Sequence, residues 1–423
     1  MALVLGIDIG TSGARVVAMD ANANIVAQSA TRLSSFGDDH RNPNIWWSAV
    51  QASLHDCLGE IDARKVRAIA VDGTSGTVLP VDASGTWLAE PLMYNHRVED
   101  VLLLNRINEI VPATSAAHGP TSGLAKMLHF QPVTGVAKLL HQADWIAGKL
   151  SGRFDVTDDN NALKSGYDPV ARDWPEWVGE TGLKPHLLPK VVAPGTVIGP
   201  ILPAMAGNVG LPTDCLIVTG TTDGCASFLA TGAAQPGDGV TALGSSLTLK
   251  LLSDKPIFTP EYGVYSHRIL DMWLAGGASN TGGKVLDRYF DKRQLIDLSS
   301  RIDPETSSGL NYYPLTIPGE RFPVMDPSFA PRLDPRPADD AAFLHGMLEG
   351  IAAIERLGYR RLAELGAPAL KSVRSVGGGA ANPQWTAMRQ RMLEVPFLPA
   401  ASTEAAAGAA RLALIGARKA GML

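Results

Sequence analysis

The sequence places groups that can bind phosphate in a short turn near its amino end. Gly10-Thr11-Ser12-Gly13 joins two runs rich in Val, Ile and Leu, and this pattern predicts a β-hairpin. The glycines allow another group to approach closely, and the turn offers consecutive backbone N–H groups and two hydroxyls to phosphate oxygens. Asp8, at the end of the entering strand, would be repelled by a bare phosphate, so its position favours a divalent cation between the two. The alternative is an ordinary glycine-rich hairpin in which Asp8 caps its own turn.

Two further turns repeat the arrangement of an apolar strand followed by a carboxylate. Asp72 follows the run 66–71 and opens the turn 73–77, which makes it a candidate ligand for a polar small molecule. A purely local hairpin turn is the alternative there. Asp223 follows the strand 215–219 at the amino end of a predicted helix, where partial positive charge keeps a carboxylate ionised and able to accept a proton from a well-placed alcohol. Its alternative role is that of a helix N-cap.

The second half of the chain carries two more glycine-rich turns. Gly244-Ser245-Ser246 lies between the apolar runs 240–243 and 247–252, which predicts a second hairpin and a weak internal duplication. Two such hairpins facing each other across a cleft would bind a polyphosphate from two domains. The turn 377–382, between a strand and a helix, lets a flat ring or a ribose lie against backbone, and the helix amino end favours a nearby phosphate. A tight strand-to-helix turn is the alternative reading of these glycines.

Composition narrows the class of protein. A chain of 423 residues is long enough for two domains, and a net charge of -5 gives no basic field for nucleic acid or an anionic membrane. The three cysteines form no CxxC pair, which favours a reducing compartment and buried, inert thiols. The apolar start of the chain is interrupted by Asp8, too early for a signal peptide or a membrane span. We therefore expect a cytoplasmic protein with neither a nucleic-acid nor a membrane partner.

Hydrophobic spacing predicts helices around these turns. Helical periodicity marks residues 46–58, 101–110, 136–150 and 343–357. The small residues of 403–410, including Gly408, are predicted to form a helix suited to close packing between the two domains.

The four strand-end motifs, in this order, resemble the carbohydrate kinases of the FGGY family. The resemblance extends over nearly the whole chain and includes the stretch 144–158, the Gly244-Ser245 turn, residues 348–352 and the helix 405–410. It implies two ribonuclease-H-like α/β domains of the actin, Hsp70 and hexokinase superfamily, with a cleft between them. It also implies a sugar-binding domain over 1–231, joined by 404–423, and a nucleotide-binding domain over 232–403.

The resemblance assigns roles to the motif residues, with ATP and Mg²⁺ as cofactors. Asp223 corresponds to the general base, Asp8 to the carboxylate that organises Mg²⁺ through water with Asp223 beside it, and Thr11 to a catalytic residue. Acceptor binding falls to Asp8, Asp72, Gly73 and Asp223. ATP binding falls to Thr11, Ser12, Gly13, Ala14, Arg15, Gly244, Ser245, Gly378, Gly379, Ala380 and Asn382. The implied reaction is transfer of the γ-phosphoryl group of ATP to a sugar hydroxyl. Phosphoryl transfer needs alignment of the reactants and charge neutralisation more than covalent catalysis.

The turn 72–77 decides the expected acceptor. Glycerol kinases carry an Arg-Glu pair and xylulose kinases a Gln-Met-His turn at this place, and neither is present. The turn is closer to the Asp-containing turn of ribulose-type kinases, where Gly73 would leave room for a sugar carbon and Asp72 would accept hydrogen bonds from two hydroxyls. We expect a monomeric or homodimeric pentulose kinase that converts D-ribulose to D-ribulose 5-phosphate. D-xylulose or another polyol or ketose is the alternative acceptor, and a sugar sensor or a sugar-independent ATPase of the same fold is the alternative class.

Overall fold

The computed structural model describes residues 1–423, and the chain divides into two compact units. The first unit contains Met1–Ala230, His267–Ile269 and Glu404–Leu423, and the second contains Thr231–Ser266 and Leu270–Thr403. The assignment of sugar binding to one part of the chain and nucleotide binding to the other stays a prediction.

The secondary structure alternates strands and helices through both units. The strands are β1 (Leu3–Ile9), β2 (Gly13–Asp20), β3 (Ile25–Arg32), β4 (Val66–Gly73), β5 (Val78–Val81), β6 (Lys138–His141), β7 (Val156–Asp158), β8 (Lys190–Val192), β9 (Val197–Pro200), β10 (Leu216–Thr222), β11 (Asp238–Leu243), β12 (Leu247–Ser253), β13 (His267–Ile269), β14 (Met272–Ala278) and β15 (Ser372–Val376). The helices are α1 (Pro43–Gly59), α2 (Val101–Ile110), α3 (Gly123–Phe130), α4 (Gln142–Ser151), α5 (Asp159–Leu163), α6 (Glu176–Glu180), α7 (Pro203–Val209), α8 (Asp223–Ala230), α9 (Gly283–Leu286), α10 (Lys292–Ser300), α11 (Asp340–Glu364), α12 (Pro383–Leu393) and α13 (Ala405–Lys419).

The first unit is built on a six-stranded sheet in the order β3-β2-β1-β4-β10-β9. The predicted hairpin is present, because β1 and β2 pair in antiparallel fashion around residues 10–12. β4 runs parallel to both β1 and β10. The carboxyl ends of these three strands therefore meet at one edge of the sheet, the edge where ligands bind in many α/β proteins.

The second unit repeats part of this plan, as the duplicated hairpin predicted. β11 and β12 form an antiparallel hairpin, β12 pairs with β14, and β15 runs parallel to β11 on the other side. The pairing of β11 with β12 and β15 matches that of β1 with β2 and β4. The long helix α11 supplies a large apolar face to the core of this unit, with Phe343, Met347 and Ile351 buried.

Two predictions about helices are wrong, for reasons of tertiary structure. Residues 136–150 do not form one helix, because β6 pairs with β5 and the helix begins only at Gln142, where the Asp144 carboxylate accepts from the His141 N–H at 3.0 Å. Gly408 does not pack between domains. It lies in α13 against α8 of the same unit, where an added Cβ would stand 1.8 Å from the Ala226 carbonyl oxygen.

The cysteines are buried and unpaired, as the composition predicts. Cys57, Cys215 and Cys225 are all free and buried, and burial raises the pKa of Cys57 to about 11 and that of Cys215 to about 12, which keeps these two thiols protonated and unreactive. None of the helices has both the length and the apolar character needed to cross a bilayer.

Replacing Gly408 by alanine is predicted to destabilise the first unit, because the new methyl group would collide with the backbone of α8. We expect a loss of about 1–3 kcal/mol in the free energy of unfolding, measured by urea denaturation followed by circular dichroism. Gly207→Ala in α7 is the matched control, since nothing lies within 4 Å of its added Cβ. The control should gain about 0.5–1 kcal/mol, as expected for alanine in an exposed helix. Equal effects of the two substitutions would contradict this account of helix packing.

Candidate active site

Three predicted carboxylates come together at the carboxyl ends of the central strands of the first unit. Asp8 on β1 and Asp72 on β4 are direct partners in the parallel register, and side chains at such positions point to the same face of a sheet. Thr221 on β10 stands opposite Asp72 on its other side, and Asp223 begins α8 two residues later. Asp223 lies close enough for its charge to raise the pKa of both Asp8 and Asp72. The sheet thus brings together three carboxyl groups that are far apart in the chain: Asp8 and Asp72 are separated by 64 positions, and Asp72 and Asp223 by 151.

Burial and close spacing disfavour the ionised forms of the carboxyl groups at this edge. Burial is the main cause that raises the pKa of Asp8, and the adjacent Arg15 guanidinium opposes it. The pKa of Asp72 is raised well above its usual range, first by burial and then by the charges of Asp8 and Asp223. Neither oxygen of the fully buried Asp72 accepts a hydrogen bond from an N–H group of the chain. Its contact with Asp8 raises the pKa of Asp72 and lowers that of Asp8, as expected when a protonated Asp72 donates to the Asp8 carboxylate.

The sequence predicts that Asp72 and Gly73 belong to a turn, whereas the structure places both residues at the end of a strand. Both residues belong to β4, and both are buried. The expectation that Gly73 leaves room for a sugar carbon is wrong, because the chain itself fills that space: a Cβ at 73 would stand 3.1 Å from the Ala143 nitrogen and 3.2 Å from Ile9 Cγ2. The absence of a side chain at 73 lets the start of α4 pack against the end of β4.

Arg15 forms ion pairs with two carboxylates, and its predicted contact with phosphates stays a prediction. Its Nη1 donates to Asp8 Oδ2 at 3.0 Å, and its Nε lies 3.5 Å from Glu404 Oε2. Asp8 is almost covered, whereas the Arg15 and Glu404 side chains are more than a third exposed. In this structure Arg15 therefore serves first as the cation that compensates Asp8.

The turn between β1 and β2 keeps its polar groups available. Gly10 N–H donates to the Gly13 carbonyl oxygen at 3.0 Å, which closes the turn, while Thr11 and Ser12 are exposed. Gly13 is required by packing, since its Cβ would lie 2.6 Å from the Thr31 carbonyl oxygen of β3. Ala14 is buried within β2, so only its backbone could meet a ligand.

Asp223 is half-buried at the first position of α8, where its Oδ1 accepts from the Gly224 N–H at 2.6 Å. The second carboxylate oxygen has no hydrogen bond of this kind to the helix end. The residue therefore lies inside the first turn of α8, with a position beside Asp8 and Asp72, and the N-cap role stays a prediction.

Sequence reasoning missed two residues that shape this edge. Gln142 is fully buried, and its Oε1 accepts from the Thr74 N–H at 3.1 Å and from the Thr74 hydroxyl at 2.7 Å. Asn160 is equally buried, and its Nδ2 donates to Thr221 Oγ1 and to the Arg268 carbonyl oxygen, both at 2.9 Å. In the sequence, Asn160 stands out only as one of four consecutive polar residues, 158–161, which are typical of a loop and helix start. Nothing in the local sequence pattern distinguishes Gln142.

The second unit contains a cavity of about 810 Å³ beside its own glycine-rich turns. Its walls are mainly apolar, with a few convergent polar groups, as is usual for small-molecule sites. Of the residues predicted to bind ATP, those that line it are Gly244, Ser245, Gly378, Gly379 and Asn382. Ala381 rather than Ala380 completes that wall, and the apolar side chains include Leu286, Leu295, Ile296, Leu348 and Trp385.

Asn382 fixes one end of this cavity. Its Oδ1 accepts from the Trp385 N–H at 3.0 Å and so caps α12, and its Nδ2 donates to Ser299 Oγ at 2.8 Å. Gly377, which precedes the glycine turn, has a φ of +86°, and its Cβ would stand 2.8 Å from the Leu243 carbonyl oxygen. Glycine at 377 is thus required for the strand β15 to turn beside the end of β11.

The donor set of the first unit fits a magnesium ion of the kind found in kinases. Mg²⁺ prefers oxygen ligands and is usually held by one or two carboxylates together with substrate phosphates and water. Asp8 and Asp223 offer two carboxylate groups at this edge, and Arg15 lies beside Asp8 as a compensating cation. No group of three or more His, Cys, Asp or Glu residues converges as a protein-only metal cage. The arrangement therefore suits a cation that completes its coordination elsewhere.

The duplicated sheets, the carboxylate edge and the apolar cavity belong to a two-domain α/β fold of the kind found in carbohydrate kinases. The chain belongs to the FGGY family of carbohydrate kinases, since the models of that family's N-terminal and C-terminal domains match residues 3–100 and 239–417. It is accordingly an ATP-dependent carbohydrate kinase, and the resemblance found in the sequence is confirmed.

Individual relatives are distant but match over nearly the full chain. An autoinducer-2 kinase of Yersinia pseudotuberculosis serotype O:3 is 24% identical over 460 residues, covering 98% of this chain and 86% of the relative. Among solved structures, a xyloylose kinase from Brucella ovis superposes with a TM-score of 0.83 at 23% identity, covering 99% of this chain and 91% of the other. The xylulose kinase from Bifidobacterium adolescentis gives a TM-score of 0.83 at 20% identity, covering 99% and 93%. At these identities the structures establish the fold.

The pairing of Arg15 with Asp8 predicts that replacing Arg15 lowers the activity more than replacing Glu404, the other partner of Arg15. Arg15→Met should reduce kcat/KM for sugar phosphorylation by about tenfold or more, because it leaves the nearly covered Asp8 carboxylate without its cation. Glu404→Gln is the control, since Glu404 is an exposed partner at a longer distance, and it should change kcat/KM less than about twofold. Steady-state kinetics on both variants measures the difference. A loss in Glu404→Gln as large as that in Arg15→Met would show that the exposed pair, and not Asp8, matters.

Proposed function

We propose that this kinase transfers the γ-phosphoryl group of ATP to the terminal hydroxyl of a pentulose, with D-ribulose giving D-ribulose 5-phosphate. The observation that carries the proposal is the meeting of Asp8, Asp72 and Asp223 at one sheet edge of the first unit. A carboxylate in such a group can align an acceptor alcohol and take its proton, which is the part of phosphoryl transfer that a side chain must supply.

Asp223 is the proposed general base. It is the least covered of the three carboxylates, and it stands at the first position of α8. Asp8 and Asp72 are largely or wholly buried, which suits them to shape the surroundings of Asp223. Asp72 stays our proposed acceptor ligand from sequence, although its oxygens are covered in this structure.

ATP binding is proposed to use the second unit for the nucleoside and glycine turns for the phosphates. The apolar walls of the cavity suit a purine ring, and Gly378, Gly379 and Asn382 would border the adenosine. The backbone N–H groups of Gly244 and Ser245, and those of Thr11 to Gly13 in the first unit, are proposed to bind phosphate oxygens. Thr11 and Ser12 add exposed hydroxyls for the same purpose.

Asp8 and Asp223 are the proposed carboxylates for Mg²⁺. When bound, the ion would neutralise charge on the phosphates. The remaining work falls to the chain itself: Arg15 compensates Asp8, amide groups hold phosphate oxygens, and Asp223 accepts the proton of the acceptor hydroxyl. The cytoplasmic location and the monomeric or dimeric state stay predictions.

Three relatives suggest two other acceptors for direct comparison. The similarity to an autoinducer-2 kinase covers 98% of this chain, which favours autoinducer-2 as a second candidate substrate. The structural neighbours from Brucella ovis and Bifidobacterium adolescentis point to xylulose, although this chain lacks the Gln-Met-His turn expected of xylulose kinases.

A panel of acceptors at equal concentration tests the substrate. ADP formation should be fastest with D-ribulose, compared with D-xylulose, autoinducer-2, glycerol and erythritol, because the turn 72–77 resembles that of ribulose-type kinases. A coupled assay for ADP gives kcat/KM for each acceptor. Faster turnover of autoinducer-2 or D-xylulose would replace ribulose as the substrate, while turnover of none would remove the pentulose assignment.

Removing the proposed base should separate chemistry from nucleotide binding. Asp223→Ala is expected to lower kcat by about 100-fold or more, since it removes proton acceptance, while the affinity for ATP measured by calorimetry without Mg²⁺ changes little. Asp214→Ala is the matched control at an exposed aspartate before the same strand, β10, and should keep normal kcat. Undiminished turnover in Asp223→Ala would exclude this residue as the base.

A further inference from the structure

Glu320 is a buried carboxylate in the second unit that the proposed chemistry does not use. It is only 2% exposed, yet it accepts four hydrogen bonds. Oε2 accepts from the Ser279 hydroxyl at 2.5 Å and from the Tyr313 hydroxyl at 2.9 Å. Oε1 accepts from the Asn280 N–H at 2.7 Å and from the Arg321 N–H at 2.8 Å. All four donors are aimed at one side chain, so its position and theirs are fixed together.

The charge of Glu320 is held by dipoles and not by an ion pair. The guanidinium of the adjacent Arg321 donates through Nε to Asn280 Oδ1 at 2.7 Å. Burial, and then the neighbouring Glu320, raise the pKa of Tyr313, which keeps that hydroxyl protonated as a donor. A carboxylate satisfied by four donors can remain buried without a cation.

Two of the four donors, Ser279 and Asn280, begin the segment 279–284, here called the brace segment. This segment lies against the turn 244–246, which is the proposed phosphate-binding turn of the second unit. Four backbone hydrogen bonds join the brace segment to the turn and its following strand: Ser279 N–H to Leu247 O at 2.9 Å, Leu247 N–H to Thr281 O at 2.8 Å, Gly283 N–H to Gly244 O at 2.8 Å, and Lys284 N–H to Ser245 O at 3.2 Å.

Close packing strengthens this connection. Gly282 adopts a φ of +143°, and an added Cβ there would stand 2.7 Å from the Ser245 carbonyl oxygen and from the Ser246 backbone. No side chain separates the brace segment from the turn, so a shift of one backbone must be transmitted to the other. The carbonyl oxygens of Gly244 and Ser245 are taken up by these bonds, which orients the peptide groups of the turn.

We propose that Glu320 is a positioning residue that holds the 244–246 turn in its phosphate-binding form by way of the brace segment. The inference rests on the proposed function only in taking that turn as a nucleotide phosphate site. Glu320 itself lines no part of the 810 Å³ cavity and touches no proposed ligand. Its removal should therefore weaken binding of the phosphates while leaving binding of the nucleoside unchanged.

Comparison of ADP with adenosine tests this inference by calorimetry on the full chain. Glu320→Ala removes the acceptor of the Asn280 and Arg321 N–H groups and should weaken ADP binding by about tenfold, with adenosine affinity unchanged within about twofold. Glu320→Gln should restore most of the ADP affinity, because its amide oxygen can accept from both N–H groups while the Ser279 and Tyr313 hydroxyls turn to accept from its nitrogen.

Tyrosine variants test the same inference with a smaller perturbation, in case Glu320→Ala fails to fold. Tyr313→Phe removes one donor to Glu320 and should weaken ADP binding measurably, whereas adenosine binding stays normal. Tyr359→Phe is the matched control: its buried hydroxyl bonds to Thr241, away from the brace segment, and ADP affinity should be unchanged.

The outcomes separate this inference from the proposed function. Normal ADP affinity in both Glu320→Ala and Tyr313→Phe, or equal losses for ADP and adenosine, would overturn the positioning role and leave the kinase assignment intact. Failure of the unmodified protein to bind ADP would instead overturn the proposed nucleotide site, and the role of Glu320 with it.

Discussion

The in-register parallel pairing of β1 with β4 is the constraint on which the active site depends. It sets Asp8 beside Asp72, and the next parallel strand, β10, delivers Asp223 to the same edge. Bringing carboxylates together in a covered place is unfavourable, and a single partly exposed guanidinium, that of Arg15, offsets it. The backbone ladder and the apolar core beneath it hold the group in place. A site strained in this way is suited to bind a cation and to accept a proton.

The second unit uses the same architecture for a different purpose. Its hairpin β11–β12 and the parallel strand β15 repeat β1, β2 and β4, but the strand ends carry glycine turns beside an apolar cavity in place of carboxylates. One plan thus gives an edge with carboxylates in one unit and an edge with glycine turns and an apolar cavity in the other, and we propose proton transfer for the first and nucleotide binding for the second. The covered carboxylate in this second unit, Glu320, holds loops and not ligands.

The sequence predicted local features well and spatial neighbours poorly. Both hairpins, the helix 101–110 and the order of the strand-end motifs follow from turn residues and hydrophobic period, which are local properties. The split of 136–150 into β6 and α4 depends on pairing with β5, and the place of Gly408 depends on α8; both are long-range contacts. The space beside Gly73 and the use of Arg15 by Asp8 also lay beyond the local pattern, because each is decided by residues distant in the chain or across the sheet.

The central claim is that the carboxylate edge directs phosphoryl transfer to a sugar hydroxyl and not to water. The most direct measurement is the stoichiometry of products by phosphorus NMR when ATP is consumed with and without D-ribulose. The account predicts negligible ADP without the sugar and, with it, one sugar phosphate for each ADP and almost no inorganic phosphate. Rapid formation of ADP and inorganic phosphate at the same rate in both samples would contradict it.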